Sequence, residues 1–108
     1  MKLKPRIGVR LGTKNFIKTP LSDAIASIDY SPKSKLLEIE YKDNNKIYHY
    51  LNAKKDIYEN ILELKKINET LSTPQMKVSA EKYSIGRFVN QEVKPKHDYY
   101  ELTTILEI

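Results

Sequence analysis

Hydrophobic and polar positions alternate through the first half of the chain and then change period. Ala24, Ala26, Ile28 and Tyr30 fall on one face of an extended segment. Ser31-Pro32-Lys33-Ser34 has the composition of a turn. A second strand is expected over Lys35–Tyr41, where Leu37, Ile39 and Tyr41 alternate with Glu38 and Glu40. Asp43-Asn44-Asn45 supplies residues that tolerate positive φ in a tight hairpin. A third strand runs Lys46–Leu51, with Ile47, His49 and Leu51 on one face and Tyr48 and Tyr50 on the other. Beyond it Ile57, Ile61 and Leu64 recur at helical spacing, flanked by Tyr58 and Leu62. This predicts a long helix capped at Asn52 and ended by Ser72-Thr73-Pro74, with a polar loop over about 72–83. Ser84 caps a second, shorter helix that holds Ile85, Phe88, Val89 and Val93 and stops at Lys94-Pro95-Lys96. Tyr99–Leu106 has the aromatic and β-branched content of a last strand. The expected fold is α+β: a small antiparallel sheet of three to four strands, packed by one long and one short helix.

A chain of 108 residues, 40% hydrophobic and 31% charged, is one ordinary domain with a core that needs no staples. Cysteine is absent, which removes disulfides, thiolate metal sites and a Cys nucleophile, and fits a reducing, cytoplasmic setting. No apolar run approaches a membrane span, and the basic Met1–Arg10 segment has no apolar stretch after it that would make a secretory signal. The formal charge is +5, and its distribution is uneven. Lys2, Lys4, Arg6, Arg10, Lys14 and Lys18 all lie in residues 1–22, where there is no acid. Residues 1–20 therefore read as a basic arm of limited order, attractive to polyanions, within which Ile7, Val9 and Leu11 alternate as a short edge strand would.

Nothing in the chain looks like a self-sufficient catalytic centre. His49 and His97 have no partner at metal-ligand spacing, and His49, between two tyrosines, reads as a structural histidine. Glu38 and Glu40 read as a solvated strand face. Gly8, Gly12 and Gly86 are scattered singly, so there is no phosphate loop, no cofactor site is expected, and the protein is expected not to be an enzyme. Two features remain. Tyr48 and Tyr50 on one strand face could stack bases if exposed, or pack against the helix with their hydroxyls at the rim. The segment Ser84-Ile85-Gly86-Arg87, followed by Lys94 and Lys96, combines a capped helix start, a glycine open to close approach and a guanidinium suited to phosphate.

Together these residues resemble the KTSC domain, a small module at the C-terminus of some lysyl-tRNA synthetases that also occurs as stand-alone bacterial and phage proteins. The resemblance is carried by Ile28-Asp29-Tyr30; by Leu37-Glu38-Ile39-Glu40-Tyr41-Lys42; by Tyr48-His49-Tyr50; by Leu51-Asn52 with Ile57-Tyr58; and by Ser84, Gly86, Phe88, Asn90, Val93-Lys94 and Tyr99. The chain departs from the family pattern at Ala53-Lys54-Lys55, where a proline is usual, and in a longer Lys66–Tyr83 link. The resemblance implies one KTSC-like domain over 21–108, preceded by the arm 1–20. RNA binding is suggested by the family's attachment to synthetases, which is association and not mechanism.

The expected function is accordingly a non-enzymatic nucleic-acid-binding module, with RNA or another polyanion as partner. Tyr48 and Tyr50 would stack; Ser84, Gly86, Arg87, Lys94 and Lys96 would hold phosphate; Arg6 and Arg10 in the arm would add affinity. The alternative is a protein–protein adaptor or accessory protein of a phage or other mobile element. In that case a sheet edge or the tail Leu102–Ile108 would pair with a partner strand.

Overall fold

The computed structural model describes residues 1–70 and 83–104. Its strands are β1 (Arg6–Gly8), β2 (Ile17–Lys18), β3 (Ile25–Ser31), β4 (Leu36–Tyr41), β5 (Ile47–Tyr50) and β6 (Tyr99–Thr104). Its helices are α1 (Lys55–Thr70) and α2 (Ile85–Phe88). α2 continues into a π-helical turn, Val89–Val93, and a 3-10 turn, Lys94–Lys96. The six strands form one sheet in the order β1-β6-β5-β4-β3-β2. β2 to β6 pair antiparallel, and β1 lies parallel to β6, with Arg6 opposite Leu102.

The α+β class is as expected, but the sheet is six-stranded and mixed where three or four antiparallel strands were expected. The extra strands come from the basic segment 1–20. β1 overlaps the expected edge-strand segment Ile7–Leu11, whereas β2, at two residues, is too short to show a period, and pairing between the first and last strands leaves no local signature. That segment is a strap bonded to the sheet and not an arm of limited order. The long helix starts at Lys55, and Asn52 does not cap it; Asn52 instead takes a left-handed φ of 54° in the turn after β5. Asn45, in the β4–β5 hairpin, also has positive φ, as its turn chemistry implies. The expected helix stop at Ser72–Pro74 and nearly all of the 72–83 loop lie outside the described residues, as does the tail beyond Thr104.

One face of the sheet carries the main core. Ile28, Tyr30, Leu37, Ile39 and Tyr50 pack there with Ile61 of α1 and with Val89 and Val93 after α2. Ile25 joins them because the β3–β4 register shifts between Ile25 and Ser27, a bulge that resets the alternation. Tyr30 stacks on Tyr58 of α1 with ring centroids 5.6 Å apart. The opposite face is also buried, and this corrects the expectation that Glu38 is solvated. Glu38 is 1% exposed because the strap crosses it, bringing the Arg10 side chain and the Leu11 N–H onto its carboxylate.

Candidate nucleic-acid interface

The period-2 alternation of β4, β5 and β6 places Tyr41, Tyr48, Tyr50 and Tyr99 on the core side of the sheet, toward the end of the helical layer. Hairpin register sets Tyr48 opposite Ile39, and the β5–β6 register sets Tyr50 opposite Tyr99. The rings form one cluster. Tyr50 and Tyr99 lie 5.1 Å apart, and Tyr48 meets both Tyr41 and Tyr99 edge to face at 5.5 and 5.7 Å. Tyr50 is the floor: it is 1% exposed, and its hydroxyl shares a 2.8 Å hydrogen bond with that of Tyr41. Burial, followed by the Tyr41 hydroxyl, pushes the Tyr50 pKa up, so it remains a neutral phenol. Tyr41, Tyr48 and Tyr99 are half-buried and present ring surface outward.

These tyrosines line a cleft of about 240 Å³ whose other walls are Lys2, Asp43, Asn44 and Lys94. Lys94 arrives from the 3-10 turn after α2. Lys2 is placed by the strap: it bridges to Tyr99, and Leu3 N–H donates to the Tyr99 carbonyl at 2.7 Å. The Lys2 ammonium sits 5.6 Å from the Tyr48 ring centroid, within cation–π range. Two cations beside aromatic surface can hold a phosphate while a base lies on the rings.

Of the residues singled out by sequence, the structure brings together Tyr48, Tyr50 and Lys94. The others lie elsewhere. Arg87 and Lys96 border a separate open groove between α1 and α2, floored by Ile57, Leu64 and Phe88 and edged also by Asp56, Glu92 and Asp98. Lys96 is bonded there to Glu92 at 2.7 Å. The Ser84 hydroxyl is occupied in accepting from the Arg87 N–H, so it caps α2. Gly86 does not open a ligand approach. It is buried, and a Cβ there would come within 2.9 Å of the Ala24 Cβ, so it serves helix–sheet packing. Arg6 stacks 4.3 Å over the Tyr100 ring, and Arg10 is held by carboxylates; both face the other side of the sheet. Sequence reasoning missed Tyr41, Tyr99, Asp43 and Asn44, and counted Lys2 only as arm charge. The parity of Tyr41 with Leu37 and Ile39 was visible, but its meeting with Tyr48 needs the hairpin register.

On the far face a row of buried polar side chains crosses the strands. Glu38 accepts from Arg10 Nε at 3.0 Å and from Leu11 N–H at 2.9 Å, and meets His49 Nε2 at 2.8 Å. His49 Nδ1 in turn meets the Tyr100 hydroxyl at 2.8 Å, and Asp29 accepts from Thr13. Burial works to raise the Glu38 pKa, but the bonds from His49, Leu11 and Arg10 outweigh it and hold the group below its ordinary value. Among the described residues no buried side-chain nitrogen or oxygen lacks a partner, so this row serves as a closed structural network. Among the same residues no cluster of His, Asp or Glu is arranged to hold a metal, and no helix is long and apolar enough to cross a membrane.

Residues 21–69 match the family model described as the KTSC domain. The fold is similar to the crystal structure of a KTSC domain protein from Yersinia pestis, with a TM-score of 0.53 and 24% identity. That alignment covers 78% of this chain and 93% of the other. No curated protein matches the chain.

Proposed function

We propose, from the premise that residues 21–69 are a KTSC domain, that this protein is a non-enzymatic module that binds single-stranded RNA in the tyrosine cleft. One observation carries the reading: Lys2 and Lys94 stand beside the half-buried rings of Tyr48 and Tyr99 in one cleft. Stacking on such rings is available to any base, but only an unpaired one can leave its helix to enter. The two cations supply the sequence-independent phosphate contacts. The site needs no cofactor, and the cysteine-free composition fits the cytoplasm, where RNA is the abundant polyanion.

The test is fluorescence anisotropy with a labelled single-stranded RNA and a duplex control. Tyr48→Leu keeps apolar bulk but removes the flat ring, and should cost about 1–3 kcal/mol of binding. Lys2→Ala with Lys94→Ala should weaken binding and lower the salt slope by roughly one to two units. Unchanged affinity in both variants, with folds intact by circular dichroism, rules the cleft out.

A second reading, a protein–protein adaptor, is favoured by the outer edge of β1. Among the described residues this strand has a neighbour on one side only, and its Ile7 and the adjoining Val9 are 79% and 72% exposed. An extended partner segment could add there as a seventh strand. Replacing Ile7 and Val9 by Lys would abolish such an association and leave RNA affinity undiminished.

A further inference from the structure

The rim of the tyrosine cleft differs from its floor in one respect: it carries an acid. Asp43 and Asn44 come from the β4–β5 hairpin and line the same cleft as Lys2, Lys94 and the tyrosine rings. An acid is a poor choice for a site that only grips phosphate, because it repels the ligand it borders. Asp43 is not consumed structurally. Among the described residues it makes no hydrogen bond and no ion pair, whereas Asn44 Oδ1 accepts the Lys46 N–H at 2.9 Å. That bond fixes the amide so that its NH₂ group is the free end. The floor offers no such selectivity, since the Tyr41 and Tyr50 hydroxyls are bonded to each other. Asp43 and the Tyr41 ring both line this cleft, with the Asp43 side chain exposed at its rim.

We infer that the cleft reads a guanine, with Asp43 accepting from the base edge. This rests on the RNA-binding reading above and adds base selectivity to it. A carboxylate is an acceptor with two oxygens, and it is matched by two adjacent donors. Guanine alone among the four RNA bases presents two neighbouring donors, N1–H and the N2 amine, on its Watson–Crick edge. Adenine, cytosine and uracil each present a single donor group there. Next to its two donors guanine has O6, an acceptor suited to the free Asn44 NH₂. The cleft volume of about 240 Å³ is enough to seat one purine against the rings. Phosphate held by Lys2 and Lys94 and a base edge held by Asp43 divide the work between positioning and specifying.

The experiment compares short oligouridine RNAs that carry one central G, A or C, together with the all-U strand, by anisotropy at fixed salt. The G strand is expected to bind on the order of ten-fold more tightly than the others. Asp43→Ala should erase that difference. Because it also removes a negative charge, it should leave binding of the other strands equal or stronger. A purely electrostatic Asp43 would instead raise affinity for all strands together and preserve their ratios, which overturns the inference. Equal binding of all four strands by the wild-type protein, still lost in Tyr48→Leu, overturns guanine selectivity while the RNA reading stands. If no strand binds at all, both fall together.

Discussion

Arg10 makes the sharpest test of whether the basic strap is structural or ligand-facing. Its guanidinium donates to Glu38 at 3.0 Å, to Glu40 at 3.3 Å and to the Ser27 hydroxyl at 3.0 Å. The three bonds are unequal. Glu38 is fully buried, so its charge-assisted bond contributes about 1.5–3 kcal/mol. The partly exposed Glu40 pair adds roughly 0–1 kcal/mol, and the Ser27 bond about 0.5–1.5 kcal/mol. Arg10→Ala leaves Glu38 with His49 and Leu11, which softens the loss and keeps the total near the lower half of the sum, about 2–4 kcal/mol. For a domain of this size that is a fall in melting temperature of roughly 10–20 °C. Urea unfolding read by circular dichroism measures it, and Arg10→Lys should recover only part, since a single ammonium nitrogen lacks the spread planar fork with which Arg10 reaches Glu38, Glu40 and Ser27 from three nitrogens. RNA affinity, measured well below the melt, should not change. A loss under about half a kcal/mol would show the strap to be unimportant for folding. A drop in RNA affinity with stability intact would move Arg10 into the interface and refute the assignment of the two faces.

Three further outcomes follow from the same geometry. Ile61→Ala, at a fully buried helix position, should cost about 2–5 kcal/mol in urea unfolding; a negligible change would mean that α1 does not pack on the sheet. Gly86→Ala gains about 1 kcal/mol of helix propensity but presses its Cβ on Ala24, so a net loss of about 1–2 kcal/mol is expected, and stabilisation would show that the contact yields freely. Because the Glu38 pKa is lowered by folding, its contribution to stability is complete above the ordinary glutamate value and is lost as pH falls through the folded value. Denaturation free energies taken from pH 7 down to 3 should therefore decline less steeply in Glu38→Gln than in the wild type, and an identical decline would assign the acid sensitivity to other groups.

The parts of the fold that repeat were legible in the sequence. Leu37, Ile39 and Tyr41 announced β4, Ile57, Ile61 and Leu64 announced α1, and Ser84 announced the cap of α2. What escaped were features with no period of their own. β1 was foreshadowed by the alternation of Ile7, Val9 and Leu11, but its parallel partner β6 was not; β2, at two residues, is shorter than a recognisable alternation, and the bulge before Ser27 moved Ile25 into the core against the Ala24–Ala26 parity. Glu38 looked solvated because its covering, Arg10 and Leu11, lies far away in sequence. The site was legible by residue type but not by grouping. Tyr48 and Lys94 were visible as candidates, yet their union with Lys2 and Tyr99 depends on how the strands pair. Arg87 was singled out with the Ser84 cap and Gly86, but the cap is satisfied internally and Gly86 is buried in packing, while the Lys96 charge is already paired with Glu92.

The pairing of β1 with β6 has a bearing on when the cleft comes into being. The Met1 ammonium reaches the Asp98 carboxylate across 97 residues of chain, and Lys2 meets Tyr99 beside it. The closure entropy grows only with the logarithm of that span, but the contact cannot be made early. During vectorial synthesis β3, β4 and β5 can form a meander while the strap waits without its neighbour. A nascent chain that has not yet released β6 contains Tyr48 and Tyr50 but lacks Tyr99 and anything to anchor Lys2. The aromatic and basic walls of the cleft are thereby brought together only after β6 is in place to anchor the strap.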